Sequence, residues 1–128
     1  MCQRIPTMIA MGKVAANGSI LRATPGITVV PTISPGNIYG PGDDIEYTVK
    51  FPDRLVCDGN YIIQLTAENY GENGPDYVIT TIAHRYQSGS GFEVIIWADR
   101  SQTLGPSSGG PAIVPVQVNW SFVIYDML

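Results

Sequence analysis

Polar and apolar residues alternate along most of this chain. Over residues 44–51, Ile45, Tyr47, Val49 and Phe51 fall on one side and Glu46, Thr48 and Lys50 on the other. A period of two is the mark of a half-buried strand, because successive side chains point to opposite faces of a sheet. Pro52 ends the run, since proline has no N–H to give to a ladder. Cys57-Asp58-Gly59-Asn60 reads as a turn in which Asp-Gly supplies a positive φ. Residues 61–68 place Tyr61, Ile63, Leu65 and Ala67 together. Residues 77–85 are rich in β-branched side chains and predict another strand. The Gly-Ser run at 87–91 turns the chain, and residues 92–98 then set Phe92, Val94 and Ile96 on one face with Trp97 on the other.

The closing pattern is the strongest. Val114, Val116, Val118, Trp120, Phe122 and Ile124 share one face, with Gln117, Asn119 and Ser121 opposite. A helix would scatter these residues around its circumference, so one long strand is predicted. Nearer the start, residues 11–14 and 27–33 read as strands, and Asn17-Gly18 as a turn ahead of Ile20. Pro31 and Pro35 mark an edge strand or an irregular passage. Residues 34–43, 69–76 and 103–111 are rich in turn formers and read as loops. The reading is all-β: a single antiparallel β-sandwich, jelly-roll-like or Ig-like, of about seven to eight strands. Residues 1–10 form an N-terminal arm and residues 11–128 the sandwich domain.

Composition narrows the function classes. The 128 residues suit one domain, and 45% apolar residues can build a core. Charged residues make up only 14%, and the net charge is −4. A nucleic-acid binder is usually basic, so that class is disfavoured. No apolar run reaches the length of a membrane helix, and no membrane insertion is expected. The first residues lack a continuous apolar segment, so no signal peptide is expected. Cys2 and Cys57 are the only cysteines; they make neither a disulfide framework nor a zinc site, and reduced thiols are the expectation. Asn17-Gly18-Ser19 and Asn119-Trp120-Ser121 match the glycosylation sequon and read as chance matches without secretion.

Catalytic chemistry finds little to work with. His84 is the sole histidine and lies near the end of a predicted strand, on the face of Val78 and Ile82. Ser88 and Ser90 are near it in sequence but lack a nucleophile-elbow pattern. The acids are dispersed at turns and strand ends, with no calcium loop, and the glycines form no phosphate cradle. No catalytic residue, metal or cofactor is assigned. A β-sandwich hydrolase would need His84 or paired acids in a cleft.

Tyrosine offers more. Tyr39, Tyr70 and Tyr86 lie in or beside predicted loops, and a tyrosine presents a rigid apolar ring with a polar tip. With Arg85 and Arg100 they are the candidate binding residues. If Tyr61 and Phe92 face the core, Ile62, Ile95 and Trp97 face outward and are candidates for a subunit interface.

The order of several elements carries a resemblance. Met11-Gly12-Lys13-Val14 precedes Asn17-Gly18; Tyr47-Thr48-Val49-Lys50-Phe51, Tyr61-Ile62-Ile63 and Gly91-Phe92-Glu93-Val94 follow; Trp120-Ser121-Phe122-Val123-Ile124-Tyr125-Asp126 closes the series. Over residues 11–126 this resembles the small β-sandwich domains at the distal ends of bacteriophage tail fibres and related virion appendages. The resemblance implies a non-enzymatic virion structural protein at the virion surface, a fibre tip or a head decoration or cement protein. Its implied partners are itself, as a homotrimer, and other virion proteins. The alternative is a carbohydrate- or host-receptor-binding module acting through its loops, with a host-surface glycan as ligand. The family's shaft has no counterpart here, since only ten residues precede the Met11-Gly12-Lys13-Val14 element; the first ten residues are expected to dock on a neighbouring virion protein.

Overall fold

The computed structural model describes residues 5–34, 44–68, 79–99 and 113–127. These residues contain strands β1 (Pro6–Val14), β2 (Ile20–Ala23), β3 (Thr28–Ser34), β4 (Asp44–Lys50), β5 (Ile62–Ala67), β6 (Ile79–Ser88), β7 (Gly91–Asp99), β8 (Ile113–Pro115) and β9 (Trp120–Met127), and no helix. They form two antiparallel sheets, the architecture of a β-sandwich. The β1 sheet runs β2-β1-β9-β5 and the β7 sheet runs β3-β4-β7-β6. The short β8 pairs with residues 97–99 of β7, whereas β4 pairs with residues 91–94. The chain crosses between sheets after β2, β4, β5 and β8.

The period-two pattern sets the inner faces as the sequence indicates. Tyr47 and Val49 of β4, Phe92, Val94, Ile96 and Ala98 of β7, and Trp120, Phe122 and Ile124 of β9 are all buried. Six rings form a continuous path through the core: Tyr47, Trp120, Phe122, Phe92, Phe51 and Tyr61, with successive centroids 5.3, 5.9, 5.7, 5.8 and 5.2 Å apart. All are tilted or edge-on, the arrangements that set a ring's positive edge against its neighbour's negative face. Gly12, opposite Phe122 in the β1–β9 ladder, makes room for this path, since a Cβ there would lie 2.4 Å from the Phe122 ring.

Four expectations are corrected. Residues 6–10, read as part of an arm, are the first half of β1 and pair with β9 from Pro6↔Met127 to Ala10↔Ile124. Residues 1–4 lie outside the described residues. The predicted single closing strand is two: β8 lies in one sheet, β9 in the other, and residues 116–119 cross between them. Val116 and Val118 stay buried through the crossing, so the alternation persists although the ladder does not. Gly59 is not among the positive-φ residues; the turn there is held by the Asp58 carboxylate, which accepts from the Asn60 N–H at 2.8 Å, and the positive φ falls at Arg54 instead. Finally, Cys57 is disulfide-bonded rather than a free thiol, and Cys2 is the chain's one other cysteine. Asp126, which pairs with Thr7 at the start of β1, also accepts from the Cys57 N–H at 3.2 Å, so the Cys57 loop packs where the chain enters the sandwich.

Candidate functional site

The outer face of the β7 sheet is shaped by one irregularity. In the β6–β7 ladder Arg85 pairs with Glu93 and Ser88 with Gly91, so Tyr86 and Gln87 together oppose Phe92. This is a β-bulge, with Tyr86 at φ 55°. Strict alternation would turn Tyr86 inward after an outward Arg85. The bulge brings Tyr86 out beside it, 74% exposed, with the Arg85 guanidinium carbon 5.0 Å from the ring centroid. Gln87 points the other way, and its amide donates to the Gly59 and Tyr61 carbonyls at 2.9 and 2.6 Å.

Arg85 is fixed from its other end. Its Nε donates to Glu93 Oε1 at 2.6 Å and its Nη2 to Glu46 Oε1 at 2.7 Å. The hydrogen bond to Glu93, above all, holds the guanidinium above its ordinary pKa. Glu46, Glu93 and Arg85 thus link β4, β7 and β6 across the sheet.

A groove of about 390 Å³ lies beside Tyr86. Thr48 and Lys50 of β4 line one side, Tyr86 and Ser88 of β6 the other, and Gly91 and Glu93 of β7 lie between them. Gly91 contributes no side chain, which leaves a trough where its neighbours stand up. The Ser88 and Ser90 hydroxyls lie 3.0 Å apart at the hairpin end. Two phenols behind the site are immobilised. Tyr61 Oη lies 2.8 Å from the Ser88 carbonyl and 2.9 Å from that of Gly91, and Tyr47 Oη donates to the Ala16 carbonyl at 2.6 Å. Burial pushes both hydroxyls up to about 12.

The outer face of the β1 sheet is different in character. Cross-strand pairs Met11↔Val123, Met8↔Tyr125 and Tyr125↔Ile62 lay an apolar band over β1, β9 and β5. Met8 and Met11 are about half exposed, and Ile62 is 64% exposed. Lys13 and Arg22 flank the band, and Lys13 pairs with Glu68 at 2.9 Å. A shallow pocket of about 250 Å³ sits between Met11, Arg22 and Val123.

The sequence candidates are therefore partly brought together. Arg85 and Tyr86 are adjacent on one face, on a strand rather than in a loop. Tyr39, Tyr70 and Arg100 lie outside the described residues. Ile62, Ile95 and Trp97 all face away from the core, but Ile62 is on the β1 sheet and the other two are on the β7 sheet, so the structure does not join them. His84 pairs with Val94 and approaches the Phe92 ring edge-on at 6.4 Å, a sheet-margin position. Sequence reasoning named Arg85 and Tyr86 but missed Lys50, Thr48 and the carboxylates Glu46 and Glu93 that engage Arg85. It also missed Met8, Met11, Val123 and Tyr125, although it named Ile62, which pairs with Tyr125. Among the described residues no group of three or more His, Cys, Asp or Glu could hold a metal ion. No family model, curated protein or solved structure matches this chain.

Proposed function

We propose that this chain is a non-enzymatic structural subunit that assembles with copies of itself through the outer face of its β1 sheet. The observation that carries the reading is the apolar band of Met8, Met11, Ile62, Val123 and Tyr125 across three strands of that face. Contiguous exposed apolar surface of this kind marks an interaction site. A copy of the chain is the fitting partner, because the band is apolar and Lys13 at its flank is already paired with Glu68. The band lies on the β1 sheet, whereas the outer face of the β7 sheet carries the charged Glu46–Arg85–Glu93 set. Interfaces on two opposite faces of a sandwich would build an open stack, whereas one face turned toward a common axis closes. The motif order from Met11-Gly12-Lys13-Val14 to Trp120-Ser121-Phe122 supports placing the subunit on a virion surface, as a trimeric fibre tip or head decoration.

Light scattering of the purified chain tests this. A mass three times the chain's 13.8 kDa is expected. Ile62→Glu combined with Met11→Glu should give the monomer mass with an unchanged far-ultraviolet spectrum, and Trp97→Glu should leave the trimer intact. A monomeric wild-type chain overturns the proposal.

A further inference from the structure

We infer that the groove beside Tyr86 is a binding site for one residue of a neutral saccharide. The site does not depend on the assembly proposed above, since it lies on the opposite sheet. Three observations carry it.

The first is the aromatic platform. An exposed tyrosine ring on a flat sheet is ordinarily free to sample rotamers, but Tyr86 is held from two directions. Its backbone is fixed by the bulge, with Gln87 anchored to Gly59 and Tyr61. Arg85, itself fixed by Glu46 and Glu93, stacks on the ring. Tyr86 is nonetheless 74% exposed and lines the groove, so it remains accessible to a ligand there. The apolar C–H face of a pyranose suits such a ring, and a preorganised platform lowers the ordering cost of binding.

The second is the polar lining. Thr48, Ser88, Ser90 and Lys50, all with polar side chains, line the same groove. A hydroxyl both donates and accepts, so this set matches the mixed donor and acceptor pattern of sugar hydroxyls. A groove of about 390 Å³ is in the range of small-ligand sites.

The third is charge. Lys50 and Arg85 bring two positive charges to this face, Glu46 and Glu93 two negative ones. These four described charges sum to zero, and Arg85 is already engaged by both carboxylates. Among the described residues a phosphate or a sialic acid would meet balanced charge with Arg85 already engaged; a neutral saccharide meets no opposing field.

The test uses an array of immobilised neutral and sialylated glycans with the fluorescently labelled intact protein. Retention on neutral glycans is expected. Tyr86→Asn removes the ring and keeps a residue that tolerates positive φ, and it should reduce retention at least tenfold. Tyr86→Phe should keep it. In the ¹⁵N-labelled protein, the best-retained oligosaccharide should shift the amides of Ser88, Gly89, Ser90 and Gly91. No retention on any neutral glycan, retention on sialylated glycans alone, or retention unchanged in Tyr86→Asn overturns the inference. So do amide shifts confined to other strands.

Discussion

Tyr47 in the middle of β4 donates its hydroxyl to the Ala16 carbonyl, 2.6 Å away in the first hairpin of the other sheet. The bond ties the two layers together through a side chain whose ring is fully buried against Trp120. Tyr47→Phe keeps the ring and leaves that carbonyl without its donor. The expected loss is about 1 to 2 kcal/mol, seen as a lower urea midpoint with an unchanged m-value.

Alkali should unfold this protein through its buried phenols. Tyr47 and Tyr61 are pushed up to about 12 from an ordinary 10.0 by burial. Between those values an unfolded chain has released protons that the folded chain retains. Stability is therefore unaffected by these groups below about pH 10 and falls as pH rises from there toward 12. Urea midpoints measured through this window should decline, and the Tyr47→Phe/Tyr61→Phe variant should show a flatter decline from a lower starting value.

Two glycines of one hairpin should behave in opposite ways. Gly91 has φ +146°, and a Cβ there would meet the Val49 carbonyl oxygen at 1.9 Å. Gly91→Ala must part β7 from β4 and should cost more than about 3 kcal/mol. Gly89 has open space around it, and Gly89→Ala should stay within about 0.5 kcal/mol of wild type. Thermal midpoints of the two variants check the contrast directly.

Reduction should weaken the fold. Cys57 is disulfide-bonded, and a bond across a long loop stabilises by about 2 to 4 kcal/mol. Dithiothreitol should lower the thermal midpoint of the wild type and leave that of Cys57→Ser unchanged. Non-reducing peptide mapping should recover a Cys2–Cys57 linked pair.

Most of the sandwich was legible because its strands are amphipathic in the simplest way. Residues 44–51 were read as a strand from the alternation of Ile45, Tyr47 and Val49 with Glu46 and Thr48, and β4 is Asp44–Lys50. The alternation reports which way a side chain points, not which sheet its backbone joins. Val114 to Ile124 therefore read as one strand while the chain was changing layers at residues 116–119. The site was legible in part, since Arg85 and Tyr86 were both candidates, but that they share one face was not. A bulge inserts a residue out of phase, and nothing in Arg85-Tyr86-Gln87 announces that two neighbours will share a face. The apolar outer band was hidden in plain sequence: Val123 and Tyr125 break the polar series of Gln117, Asn119 and Ser121.

The two outermost strands in sequence, β1 and β9, are neighbours in the middle of one sheet. The hydrogen bond from the Ala16 N–H to the Asn119 side chain spans 103 residues. During synthesis β1 leaves the ribosome with only the four-residue β2 as an available partner, and it must wait for nearly the whole chain to follow. The domain cannot mature from one end to the other. Closure is a late, concerted event, slow in the manner of proteins dominated by distant pairings, and nascent chains truncated before β9 should remain protease-sensitive and dependent on chaperones.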